Sequence, residues 1–306
     1  MCLAISGCRS GNPAGAPNAS GDNGATTPVS FSFAVAGDMR NFAGSPPPGK
    51  RYFDGACEAL KTVGGGAFML SPGDCDPPGP VRATLDRYLG SNYLWYPVAG
   101  NHETESARNM NWLRGWSKAG IPHLVRRGPP GAEDTTYSFD FGNSHFVMLN
   151  EYYDGRADTV RRDDLPEAGL NWLEADLAAT HQPFIFVMGH KPIESLPDMD
   201  SGRMRHAKAS VSTNATHFAR FVELLKRYRV RAYLCGHTHD ASVARVKGIW
   251  QVDSGHARGG GDTGAPSTFM KVRISGHAAW VDVYRADVKG EHYRLRKTVE
   301  LTEPER

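Results

Sequence analysis

Residues 31–41 read FSFAVAGDMRN. Phe31 to Ala36 form a strand-like apolar run that delivers Asp38 one glycine later, the place where α/β folds present chemically active groups. Two residues further sits Arg40, where a cation-binding turn wants a histidine. A guanidinium stays protonated and coordinates no cation. What Arg40 means therefore depends on what the rest of the chain brings to Asp38.

The same construction returns four times. "AFML" precedes Gly73-Asp74, "LWYPV" precedes Gly100-Asn101-His102-Glu103, "FIFVM" precedes Gly189-His190, and "AYLC" precedes Gly236-His237-Thr238-His239. Each glycine leaves the backbone free to turn, so a carboxylate, amide or imidazole lands at a strand end. Taken singly these are bland: Gly-Asp is most often a turn or helix cap, and a lone Gly-His a satisfied imidazole. His-x-His is more telling, because two imidazoles one residue apart can flank a metal pair. Five such ends in order point to one converged site.

Between these motifs lie amphipathic helices. Phe53, Ala56, Cys57, Leu60 and Val63 fall at helical spacing, as do Val81, Leu85, Tyr88 and Leu89, then Leu170, Leu173 and Leu177, then Phe218, Phe221, Val222, Leu225 and Tyr228. Helix-then-strand alternation predicts an α/β architecture. "TTYSFDFGNSHFVMLNEY" predicts two strands joined at Gly142 and Asn143, and the tail from Ser267 to Leu301 predicts further strands separated at Gly276 and Gly290. Glu194 to Thr216 lacks periodicity and reads as a long loop. Trp95, Trp112, Trp116 and Trp172 lie on apolar faces and read as core.

Composition limits the function classes. The chain has 306 residues, 40% hydrophobic and 22% charged, which excludes disorder and fibrous repeats. A formal net charge of +2 gives no specific nucleic-acid signal, and no apolar run is long enough to span a bilayer. The five cysteines are odd in number and contain no CxxC pair, so neither a disulfide framework nor a zinc knuckle is expected.

The N-terminus reads separately. Residues 1–8 end in Leu-Ala-Ile-Ser-Gly-Cys, which resembles a bacterial lipobox with a shortened signal segment. Residues 9–30, richest in Gly, Asn, Pro, Ala, Ser and Thr from Gly11 to Pro28, read as a flexible tether, and 31–306 as one domain. The expectation is a lipoprotein outside the cytoplasm, periplasmic or on the cell surface, tethered to a membrane through a lipidated Cys8.

The ordered set Asp38, Gly73-Asp74, Gly100-Asn101-His102-Glu103, Gly189-His190 and Gly236-His237-Thr238-His239 resembles the signature of the calcineurin-like metallophosphoesterases, a superfamily that includes purple acid phosphatases and protein phosphatases. The resemblance spans about residues 31–256 and implies an α-β-β-α sandwich of two mixed sheets. It implies two metal ions, manganese, iron or zinc, sharing Asp74. One would also take Asn101, His190 and His237, the other Asp38 and His239. His102 would then be the general acid and Glu103 would orient its imidazole. The implied substrate is a small phosphoric ester, mono- or diester. The rival is a non-catalytic or single-metal module that binds a phosphorylated ligand with a decayed first site, and the presence of His102 speaks against it.

Arg40 departs from the family's first motif, and three readings stay open: it forks onto a phosphate oxygen, it replaces one metal's charge, or it is a surface turn residue. Cys75 and Cys235 read as small buried residues rather than soft ligands. Arg203, Arg205, His206 and Lys208 in the long loop read as solvated charge in preference to a substrate-steering rim. His256 either lines the pocket or serves a turn.

Overall fold

The computed structural model describes residues 29–42, 52–158 and 164–303. Cys8 and the segment to Pro28 lie outside the described residues. Strand β1 (Ser30–Val35) begins one residue inside the expected tether, because Ser30 pairs with Ser275.

Alternation along the strands builds the layers. In β1, Phe33 and Val35 face one way and Ala34 the other. The outward face receives α1 (Phe53–Val63) and α2 (Pro78–Leu89), whose Phe53, Ala56, Cys57, Leu60, Val81 and Leu85 are buried against it. Gly64, at φ 82°, ends α1. The two helices alternate with β2 (Phe68–Ser71) and β3 (Leu94–Pro97), which lie parallel to β1.

After β3 come the one-turn helix α3 (Asn101–Thr104) and α4 (Ala107–Trp116), neither expected from sequence. A short edge strand, β4 (Leu124–Arg127), pairs with β5 (Tyr137–Phe141), and β5 turns at Gly142-Asn143 into β6 (Ser144–Met148) as expected. The second half contains α5 (Glu167–Ala179), β7 (Phe184–Met188), α6 (Ala215–Arg227) and β8 (Ala232–Cys235). Asn214 caps α6, its side chain accepting from the Thr216 and His217 amides. An unforeseen hairpin follows, β9 (Ala241–Val246) and β10 (Ile249–Ser254), turning at Lys247-Gly248. The tail supplies β11 (Thr268–Ser275), β12 (Ala278–Arg285) and β13 (Arg294–Glu300).

The strands form a six-stranded sheet, β13-β12-β11-β1-β2-β3, and a seven-stranded sheet, β4-β5-β6-β7-β8-β10-β9. Both are mixed. Between them lies an aromatic core in which Phe33 meets Phe68, Phe146 and Phe186 at ring-centroid distances of 5.2, 5.2 and 5.5 Å. Each such burial contributes about 1.5–3 kcal/mol. On the far side, Leu170, Leu173, Phe221 and Leu225 of α5 and α6 cover Val147, Val187 and Tyr233. The result is the α-β-β-α sandwich, with all five glycine-led strand ends belonging to β1, β2, β3, β7 and β8.

One ionic cluster in the seven-stranded sheet is structural. His145 on β6 is fully buried, with Nδ1 2.6 Å from Asp140 and Nε2 2.9 Å from Asp176. Burial opposes its charge, but the two carboxylates outweigh burial and raise its pKa. A raised folded-state pKa gives stability that is fully present below about 6.5, the unfolded value, and is lost as pH rises through the folded one. The melting temperature should therefore decline on the alkaline side of that window. His145→Leu should remove this decline and, by leaving buried Asp176 only Ser138 and Arg126 as partners, cost about 1–3 kcal/mol in denaturant unfolding.

Candidate metal centre

Asp38, Asp74, His237 and His239 all adopt left-handed backbone, at φ 51°, 52°, 68° and 60°. Asp, Asn and His tolerate this region better than most residues, yet it carries strain of the kind that collects at functional sites. The preceding glycines have a second use. A Cβ on Gly236 would collide with Asp38 Oδ2, and one on Gly100 with Asp74 Oδ1. These two motifs thus leave room for a neighbouring motif's carboxylate.

Two groups of donor atoms result. Asp38, Asp74 and His239 are buried and each offers an atom within 4.8 Å of the others. His239 Nε2 stands 3.5 Å from Asp38 Oδ1. In the second group, His190 Nε2, His237 Nδ1 and Asn101 Oδ1 lie 3.1–3.2 Å apart in all three pairs, and Asp74 Oδ1 is 3.5 Å from His190 Nε2. Asp74 belongs to both.

These donors fit a cation. Atoms bonded to one metal at about 2.1 Å stand roughly 3.0–3.4 Å from one another, as Asn101, His190 and His237 do here. Asp38 Oδ1 is buried with no hydrogen-bond partner, a costly arrangement that a cation relieves. The imidazoles are set as ligands by hydrogen bonds behind them. His190 Nδ1 donates to the Pro72 carbonyl at 2.6 Å and His239 Nδ1 to Asp262 at 2.8 Å, leaving each Nε2 lone pair facing the site. Burial depresses the pKa of His190, His237 and His239, the last to about 3, so all three stay neutral. Burial and the neighbouring Asp74 raise that of Asp38, a shift that positive charge beside the carboxylate opposes.

The flanking residues correct several expectations. Glu103 does not touch the His102 ring. It is fully buried, and its Oε2 accepts the Gly100 amide at 2.7 Å and the Asp74 amide at 3.0 Å, clamping two motifs together. The carboxylate that orients His102 is Glu105, 2.9 Å from Nδ1. Arg40 is not a surface turn residue. Its Nε donates to Asp76 at 3.2 Å and Nη1 to His102 Nε2 at 3.0 Å, and Nη2 reaches Glu105 at 3.4 Å. Its guanidinium therefore sits on the His102 side of Asp74.

The long loop is not merely solvated. Buried Asp198 anchors it through Arg285 and the amides of Asp200, Ser201 and Ala241. Arg203 then reaches Asp240, Asp262 and the His239 carbonyl, Arg205 pairs with Asp262, and the His206 ring stacks on His237 with centroids 4.7 Å apart. Lys208 remains exposed. His256 is fully buried behind the site, its Nε2 3.0 Å from the Ala265 carbonyl. Cys75 and Cys235 are buried and burial raises their thiol pKa, so neither offers a thiolate. Asp262 and Glu105 were missed from sequence.

A calcineurin-like phosphoesterase family model matches residues 31–241. Tartrate-resistant acid phosphatase type 5 from Rattus norvegicus is 25% identical over 252 residues, covering 75% of this chain and 73% of its own length. The Homo sapiens protein of that name is 25% identical over 246 residues, covering 73% and 71%. Among solved structures, purple acid phosphatase PPD1 from yellow lupin (Lupinus luteus) superposes over 89% of this chain with a TM-score of 0.60 at 13% identity. This chain covers 53% of the lupin protein. GAP50 of Plasmodium superposes over 90% of each chain with a TM-score of 0.55 at 15% identity. With the motif order, the two donor groups around Asp74 and a family model spanning more than half of its length, the chain belongs to the calcineurin-like phosphoesterase family, whose members are metal-dependent phosphoric ester hydrolases.

Proposed function

We propose that the chain hydrolyses a small phosphoric ester at a two-cation centre, held by Asp74 with Asn101, His190 and His237 on one side and with Asp38 and His239 on the other. The observation that carries this reading is the pair of donor groups sharing one buried carboxylate. When bound, such cations neutralise phosphate oxygens and lower the pKa of a bound water towards 7. The chain's own groups do the rest. Glu105 fixes the His102 ring through Nδ1, and Arg40 occupies Nε2, so the imidazole and the guanidinium together face a departing oxygen. A substrate phosphate draws the Arg40 fork onto itself, and this frees Nε2 to take up a proton from solvent and pass it to the leaving group.

The test is a chromogenic panel of phosphomonoesters, diesters and nucleotides with manganese titrated into the apoprotein. Turnover with two unequal cation affinities is expected, the tighter from the four-donor group. Saturation at one cation with full activity would favour the single-metal alternative, and binding without turnover the non-catalytic one. Arg40→Ala should raise KM and lower kcat/KM by about 10–100-fold, the size of a charged hydrogen bond, with cation stoichiometry unchanged by elemental analysis. Membrane attachment through a lipidated Cys8, in an extracytoplasmic protein, is the accompanying proposal. The lipobox-like end at Cys8 and the low-complexity stretch after it support that proposal.

A further inference from the structure

Two arginines touch the three-donor group: Arg205, whose Nη1 lies 2.6 Å from His239 Nδ1, and on the Asp38 side Arg258. Arg258 lies in the turn after β10, which packs on the β1 end through the Ala257 amide and the Gly37 carbonyl, 3.0 Å apart. Its Nε donates to the Asp38 backbone carbonyl at 2.9 Å, and its guanidinium lies 5.7 Å from the centre of the Phe42 ring. These two contacts fix the base of the fork. Its two terminal nitrogens make no hydrogen bond, and the side chain no ion pair, with any described residue. Arg40 and Arg203, by contrast, spend all three nitrogens on protein partners. Electrostatically, Arg258 is the cation that favours ionised Asp38, and it is drawn in turn by Asp38, Asp74 and Asp262.

We propose that Arg258 binds a phosphoryl oxygen of the substrate beside Asp38 and His239, offering an anion contact on the ligand-poor side of the centre through its two terminal nitrogens, which no described residue engages. The inference rests on the phosphoester reading above. It also narrows the substrate class. A monoester has an extra charged terminal oxygen for the second nitrogen, whereas a diester carries an organic group there, so the fork selects monoesters.

The test uses inorganic phosphate as probe, by calorimetry and by competitive inhibition, on metal-loaded wild type, Arg258→Lys and Arg258→Met, with cation content measured on each. Arg258→Met should weaken phosphate about 10–100-fold at unchanged cation content, and Arg258→Lys, which keeps charge but not the fork, should fall between. The kcat/KM for an aryl monoester should fall by a similar factor and that for a bis-aryl diester much less. Unchanged phosphate affinity in Arg258→Met overturns the proposal. So does an affinity loss matched by cation loss, which makes Arg258 a prop for the Asp38 turn. If the wild type neither binds phosphate nor hydrolyses any ester, the phosphoester reading fails and the Arg258 role with it. If the wild type is active and the variants bind phosphate equally well, only the Arg258 role is lost.

Discussion

Asp74→Asn is expected to lower cation content at both positions and to cost about a thousandfold or more in kcat, because it removes the one charge the two donor groups share. The fold should survive. An amide oxygen still accepts the His102 backbone N–H that Asp74 Oδ1 now takes at 3.1 Å. Removing one of two buried neighbouring carboxylates also relieves the repulsion that raises the Asp38 pKa, so the apoprotein should melt no lower than wild type. Elemental analysis beside a melting curve separates loss of cation from loss of structure. A variant with its full cation complement and normal turnover would remove Asp74 from the bridging position.

His102→Ala should behave differently, leaving cation content unchanged while kcat falls by about 10²–10⁴ for alkyl phosphates with poor leaving groups. Aryl phosphates, whose leaving oxygen needs little protonation, should lose far less. The geometry supplies a sharper control in Glu105, which contacts the ring and not the donor groups. Glu105→Gln, which can still accept from Nδ1 but without charge, should show the same leaving-group dependence in milder form. Equal losses across leaving groups in His102→Ala would reassign the imidazole to holding Arg40 in place.

The donor set was legible because each donor is local to a recognisable unit: a short apolar strand, a glycine, then a polar residue. The continuous apolar run "FIFVM", buried along its whole length, and helical spacing from Phe53 to Val63 were legible for the same reason. What escaped comes from tertiary approach. Asp262 and Arg258 sit in glycine-rich turns whose sequence carries no periodicity, and only the packing of the turn after β10 on the end of β1 brings them to His239 and Asp38. Glu103 was chosen over Glu105 by adjacency in sequence, yet in the single turn of α3 the residue three beyond His102 shares its face, while Glu103 points into the protein. That spacing was available as a signal. The β9–β10 hairpin hid because its turn is Lys247-Gly248, with φ 50° and 86°, in place of the Asn-Gly or Asp-Gly that marks such turns from sequence. The loop cations were misjudged because charge alone does not reveal that buried Asp240 and half-buried Asp262 wait to pair with them.

Asp38, Asp74 and Asn101 hang from the six-stranded sheet, and His190, His237 and His239 from the seven-stranded one. A cation held between them is therefore bonded to both sheets at once and acts as a clasp at the mouth of a sandwich whose interior is held by aromatic packing. No such cluster exists in the unfolded chain, so loading and folding are linked: at a hundredfold excess over its dissociation constant, one bound cation adds about 2.7 kcal/mol to stability. The same carboxylates that would repel one another across the empty gap become, once loaded, a fastening between the two halves.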